Sequence, residues 1–192
     1  MIESLPLSAA ASDDPKFDAL RARIGWLCQL LRFAAIAYGA WTFAAFAYFW
    51  SDGARVAARF DDLGVDVAGL GAAQRLAAFG VSFIVWLPLA AACYSGWRLF
   101  SIYLAGRIFA PEAALWLRRL ALFGLLAALI DIATRPLVSL IVTAHKEAGQ
   151  HMVSVFFRPE DLSTALLLAT LLALAHIQKT AADIANEHAQ FV

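Results

Sequence analysis

Charge is scarce in this chain of 192 residues: 16% of positions are Asp, Glu, Lys or Arg, and acids and bases cancel at 15 each. A soluble domain carries about 25% charged and about 45–50% apolar residues, whereas this chain is 62% hydrophobic with a mean hydropathy of +0.70. A soluble fold of this size has nowhere to hide so much apolar surface, so lipid is its natural solvent. The charge balance also excludes the basic patch that nucleic acid requires. Cysteine is nearly missing. Cys28 and Cys93 lie in apolar stretches, without the spacing of a disulfide framework or a metal motif, and read as packing residues. No GxSxG, HExxH or P-loop occurs, so the chain reads as non-enzymatic, with no catalytic residue, cofactor or metal expected. The N-terminus lacks a basic segment followed by an apolar run, so it is no signal peptide. Residues 1–16 are small, polar and acidic and read as a flexible tail ahead of a membrane domain over 17–192.

Four apolar runs are long enough to cross a bilayer, which takes about 20 helical residues. They cover roughly 33–50, 76–98, 120–142 and 162–178. The fold class that follows is all-α: a bundle of four transmembrane helices. An amphipathic lead-in, Phe17 to Arg32, continues the first helix. Pro111 suits the first turn of a helix and Glu112 its positive end, so the third helix starts there and enters lipid after Arg118 and Arg119.

Lys and Arg concentrate on cytoplasmic loops. Lys16, Arg21, Arg23, Arg32, Arg98, Arg107, Arg118, Arg119 and Lys179 fall on the side of the termini, against Arg55, Arg59, Arg75, Lys146 and Arg158 on the other. Both termini are therefore expected in the cytoplasm and the protein in the inner membrane, multi-pass. Arg32, Arg98, Arg118 and Arg119 read as topology anchors among lipid headgroups. The loop over 51–75 carries Val56, Phe60, Leu63, Val67 and Leu70 at helical spacing, the pattern of an interfacial helix.

Asp131 and Arg135 sit inside the third span, about 16 Å beyond Leu120 for the aspartate at roughly 1.5 Å per residue. One turn apart, they project from the same face and can pair. Each ionisable group at such depth costs at least about 2.5–3.5 kcal/mol, so the pair is either a structural pin or a functional polar site. Pro88 and Pro136 are expected to kink their helices, with the Thr134 hydroxyl or Arg135 near enough to serve a carbonyl freed at Ile132. Of the histidines only His176 lies within a span, so a bis-histidine haem has no second ligand. His145, Glu147 and His151 read as a solvated loop. Gly39, Gly80, Gly96 and Gly124 suit close helix packing. Trp26, Trp41, Trp50, Trp97 and Trp116 suit an interfacial belt.

Two segments carry a resemblance. LFSIYLAGRIFAPEAALWLRRLALFG offers Tyr103, Gly106, Phe109, Glu112, Leu117, Arg118, Arg119 and Gly124, and IQKTAADIANEHAQFV offers Glu187 and the terminal Phe191–Val192. Together they resemble the bacterial DUF2975 family, small four-span membrane proteins of unknown function. His188, Ala189 and Gln190 depart from the usual family ending. The resemblance implies the four-span fold and, since some members are encoded beside small helix-turn-helix regulators, a regulatory role. It supplies no catalytic residues. The leading expectation is a non-enzymatic accessory or regulatory membrane protein, self-associating or docked to a membrane partner through its cytoplasmic turn and a C-terminal helix over 176–189. The alternative is a small oligomeric transporter or ion conduit using Asp131 and Arg135. A lipid or quinone enzyme finds no paired nucleophile and base.

Overall fold

Proline and glycine punctuate the chain where the helices begin and end. The computed structural model describes residues 15–61, 69–108, 110–144 and 157–190, with side chains described between 25 and 184 of these. Among them run five helices: α1 Pro15–Ser51, α2 Gly53–Asp61, α3 Ala72–Leu104, α4 Pro111–Thr143 and α5 Pro159–Gln190. Three start on a proline, whose fixed φ and missing N–H fit the first helical position. α1 continues unbroken through the amphipathic lead-in and begins at Pro15, inside the stretch read as a tail.

The corners follow from local hydrogen bonding. The carboxylate of Asp52 accepts from the amide of Ala54 at 3.0 Å, capping α2 one residue after α1 ends. Gln74 reaches back to the amide of Gly71 at 2.9 Å and closes the start of α3. At the other end of α3, Gly106 takes φ 78°, a left-handed conformation that glycine alone adopts without strain. Its amide then bonds Tyr103 O at 2.9 Å while that of Arg107 bonds Ile102 O at 3.2 Å. This pairing satisfies the last carbonyls of the helix and turns the chain toward α4.

α1, α3, α4 and α5 are long and apolar enough to cross a membrane. With four spans, the start of α1 and the end of α5 share one side, here called the terminal face; α2 lies at the opposite, far face. Arg75 and Arg98 bound the uncharged stretch of α3 and stand about 35 Å apart along it, close to the roughly 30 Å of a hydrocarbon core.

The helices pack in a row, α1 on α3, α3 on α4 and α4 on α5, with α2 against the end of α1. Two apolar cores hold the row at its ends. Trp50, Val56, Ala78 and Val142 form the far one; Leu99, Ile102 and Ala113 form the terminal one. Between them the helices approach on small residues. A Cβ on Gly39 would touch Cys93 at 3.5 Å, one on Gly96 would meet Leu120 at 3.7 Å, and one on Gly124 would stand 2.7 Å from Leu168. Lipid offers no hydrophobic drive for helix association, so this close packing and interhelical hydrogen bonds must supply it. Trp86, for example, donates to the Gly39 carbonyl at 3.0 Å.

Two sequence expectations change. Gly80 faces open space, with nothing within 4 Å of an added Cβ, because it lies on the outward side of α3. Trp50 is 7% exposed and donates to the Ser82 hydroxyl at 3.0 Å, so it is core and not belt. The interfacial helix expected over 51–75 is α2, with Val56 fully buried; Leu63 and Val67 lie outside the described residues.

Candidate functional site

α4 carries Asp131 and Arg135 one turn apart, and they pair: Arg135 Nε and Nη2 donate to Asp131 Oδ2 at 3.1 and 2.6 Å. A second carboxylate completes the arrangement. Asp161, in the first turn of α5, accepts Nη1 and Nη2 of Arg135 on its two oxygens at 2.6 and 2.7 Å, the two-pronged geometry that suits a guanidinium. Asp161 Oδ2 also accepts the amide of Arg158 at 2.9 Å, so the residue that clamps Arg135 caps its own helix.

Exposure separates the two acids. The Arg135 and Asp161 side chains are 11% and 12% exposed, whereas Asp131 is 48% exposed. Arg135–Asp161 is therefore the more shielded, part-buried tie between α4 and α5, and Asp131 is the half-open carboxylate beside it. Along α4, Arg135 stands about 24 Å from Arg119, which places the triad in the far half of a core roughly 30 Å thick. The Thr134 hydroxyl turns back on the carbonyls of Ile130 and Asp131 at 2.7 and 3.1 Å. α3 and α4 each run on as helix through Pro88 and Pro136.

Asp131 and Arg135 line a cavity of about 350 Å³. α1 contributes Phe46, Phe49 and Trp50 as an aromatic wall. α3 contributes Ser82 and Val85, α2 brings Arg59 and Phe60, and Arg158 stands at the start of α5. The row architecture creates this space: α1 and α4 both pack on α3, and α2 closes the far end between them. The Trp50–Ser82 hydrogen bond, continued from Ser82 to Ala78 O at 3.0 Å, fixes the indole as wall. The lining thus joins an apolar side to a polar end holding three arginines and one aspartate.

The anchors read from the sequence gather at the other face. Arg32 lies 5.1 Å from the Trp97 ring, Arg98 lies 5.3 Å from Trp116, and Arg119 lies 4.7 Å from Trp116. These cation–π contacts set α1, α3 and α4 at one level, as a headgroup belt requires. Glu112 sits between Arg98 and Arg107 at 3.7 and 3.3 Å, and Arg118 is exposed. No group of three or more His, Cys, Asp or Glu that could hold a metal occurs among the described residues; His145, Glu147 and His151 lie outside them. Cys28 and Cys93 are buried and free.

Sequence reasoning missed Asp161, Arg59 and Arg158 as members of the site. A signal existed for one: Pro159, Glu160 and Asp161 mark a helix start, and an acid at the edge of a span is the natural partner for an arginine in its neighbour.

The profile of one family, described as "Protein of unknown function (DUF2975)", matches residues 55–192, the stretch from within α2 through α5. No curated protein and no solved structure matches the chain.

Proposed function

The chain belongs to the DUF2975 family, and we propose that it is a non-enzymatic accessory or regulatory protein of the inner membrane. It acts by docking a partner protein, or a second copy of itself, at the terminal face. That face is cytoplasmic in this reading, as the distribution of Lys and Arg favours.

The observation that carries the proposal is the helical platform beyond the belt. α1 begins about 25 Å before Arg32, α4 about 12 Å before Arg119, and α5 continues about 18 Å past Gln178. Gln178 ties this platform together by donating to the Ile108 carbonyl at 2.7 Å, so the turn between α3 and α4 is braced by α5. The same stretch of α5 leaves Ile177 and Ile184 exposed, at 64% and 50%, while Ala175 and Ala182 are buried. A braced turn beside an apolar helix face costs little ordering entropy on docking.

Affinity purification in nanodiscs, comparing the full chain with one ending at Lys179, tests the reading. The proposal expects a stoichiometric partner or defined homo-oligomer with the full chain, lost on truncation while the membrane domain still extracts intact. A monomer without any protein partner would sink it. The second reading, an oligomeric conduit, draws support from Asp131, whose half-open carboxylate faces the cavity. It requires flux into proteoliposomes that Asp131→Asn abolishes without loss of fold.

A further inference from the structure

Asp131 keeps one oxygen that the ion pairs leave over. Both of its bonds from Arg135 fall on Oδ2, at 3.1 and 2.6 Å, and among the described residues nothing donates to Oδ1. The side chain is 48% exposed and lines the cavity beneath α2, inside the candidate span Pro111–Thr143. A carboxylate oxygen without a donor is costly in such a setting. The hydroxyls of Ser82 and Thr134, which share the lining, cannot supply one. Each has spent its proton, Ser82 on Ala78 O at 3.0 Å and Thr134 on Ile130 O at 2.7 Å. This side of the cavity therefore calls for a donor brought by another molecule, whatever docks at the terminal face.

The rest of the lining selects what carries that donor. Phe46, Phe49, Trp50 and Phe60 bring four rings to the cavity. Those of Phe49 and Trp50 stand nearly perpendicular with centroids 5.0 Å apart, and Ser82 holds the indole in place at 3.0 Å. Fixed rings offer faces and edges to a further ring. Water serves a carboxylate but gains nothing from apolar walls. An ammonium brings its donor with a charge that is costly within hydrocarbon. A hydroxyl brings the proton without the charge, and O–H···O⁻ bonds are short and strong. A phenol joins the more acidic kind of hydroxyl to a flat ring. The volume, about 350 Å³, lies at the small end of the roughly 300–1,000 Å³ of ligand sites and suits one ring with the first carbons of a tail. α1 and α4 pack on α3 rather than on each other, which leaves a lateral way out between them. We propose that the cavity beneath α2 binds a neutral lipid-phase phenol of the quinol type. Its hydroxyl donates to Asp131 Oδ1, its ring lies among Phe46, Phe49 and Trp50, and its tail leaves between α1 and α4.

Tritiated para-hexylphenol, titrated onto the full chain in nanodiscs with empty nanodiscs subtracted, tests this on the parent protein alone. Saturable binding of one molecule per chain is expected. Unlabelled para-hexylanisole keeps the ring and tail but has no proton to donate, and should compete about tenfold less well than the phenol, as befits a lost hydrogen bond to a charged group. The saturated-ring para-hexylcyclohexanol and the cationic para-hexylbenzylamine should also compete less well. Among variants, Asp131→Asn should weaken the phenol and narrow its advantage over the ether. Val85→Phe, which fills the cavity from α3, should remove binding, and Gly80→Ala, which faces open space, should leave it unchanged. A thermal melt confirms that each variant is folded. The proposal is overturned by the lack of saturable binding, or by equal or stronger competition from the ether, the cyclohexanol or the amine. Full binding by a folded Val85→Phe protein overturns it as well.

Discussion

Replacing Arg135 with Gln withdraws the guanidinium that bridges two carboxylates. Among the described residues the guanidinium makes four donor contacts of 3.1 Å or less, two to Asp131 and two to Asp161, and a shorter neutral amide cannot reproduce them. Removing one partner from a buried pair costs about 3–5 kcal/mol, chiefly because a charge is left buried and unanswered. Arg135 and Asp161 are part-buried, and Asp131 is 48% exposed and can take water, which moves the expected loss to the low end, about 3 kcal/mol. For a chain of this length that is a fall of roughly 6–12 °C in melting temperature. Asp131→Asn leaves Arg135 gripped by Asp161 and removes a half-open contact, so its cost stays within about 1 kcal/mol. The protein carries its own reporter: Cys28 and Cys93 are 6% and 8% exposed, and a thiol-reactive fluorogenic dye reaches them on unfolding. Arg135→Gln melting within about 2 °C of the parent would refute the reasoning. An equal loss from Asp131→Asn would do so too, since the α4–α5 tie would then not rest on Asp161.

The glycines give a paired test. Gly80→Ala has open space around the new methyl and should stabilise by up to about 1 kcal/mol through helix propensity. Gly124→Ala drives its methyl to 2.7 Å from Leu168, an overpacking cost of about 1–3 kcal/mol, so it melts below Gly80→Ala; Leu168→Ala in the same chain should recover the difference. Topology is open to labelling. With Cys28 and Cys93 replaced by Ala, a cysteine at Arg59 should react with an impermeant maleimide on intact cells and one at Thr180 should not; the reverse pattern would invert the proposed orientation.

What the sequence made legible is what neighbours in the chain decide. Long apolar runs set the four spans, Pro111 with Glu112 marked the start of α4, and Val56 and Phe60 at helical spacing marked α2. Such signals act within a few residues. The common face of Asp131 and Arg135 was also readable. Their environment was not, because Asp161 lies 26 positions from Arg135 and joins it only through the packing of α5 on α4. The same limit explains the two changed readings. Nothing local tells Trp50, turned inward on Ser82 of another helix, from a tryptophan resting in headgroups. Nothing local tells Gly80, facing outward, from Gly124, pressed on Leu168. In a membrane chain both faces of a helix are apolar, so the hydrophobic periodicity that reveals the inward face of a soluble helix is nearly lost.

The row architecture bears on which of the two functional readings the polar residues favour. In a conduit, charges must exchange partners as a substrate passes. Here the charge most costly to bury is held on both sides: Arg135 is bound in two-pronged fashion by Asp161, and Asp161 is itself held by the amide of Arg158. If Asp161 turns away to release Arg135, the start of α5 loses its cap as well as its ion pair, so that movement is coupled to local unwinding of the helix. The same clamp fixes one wall of the cavity beneath α2, whose Trp50 wall is fixed in turn through Ser82. A site with both walls pinned suits retention of a bound molecule better than its passage. This makes the Asp131→Asn flux experiment decisive: the only loosely held acid in the triad is the one a moving substrate would need. If neutralising it changes neither flux nor fold, the polar residues of α4 serve to hold the far end of the row together, and the working surface lies at the terminal face.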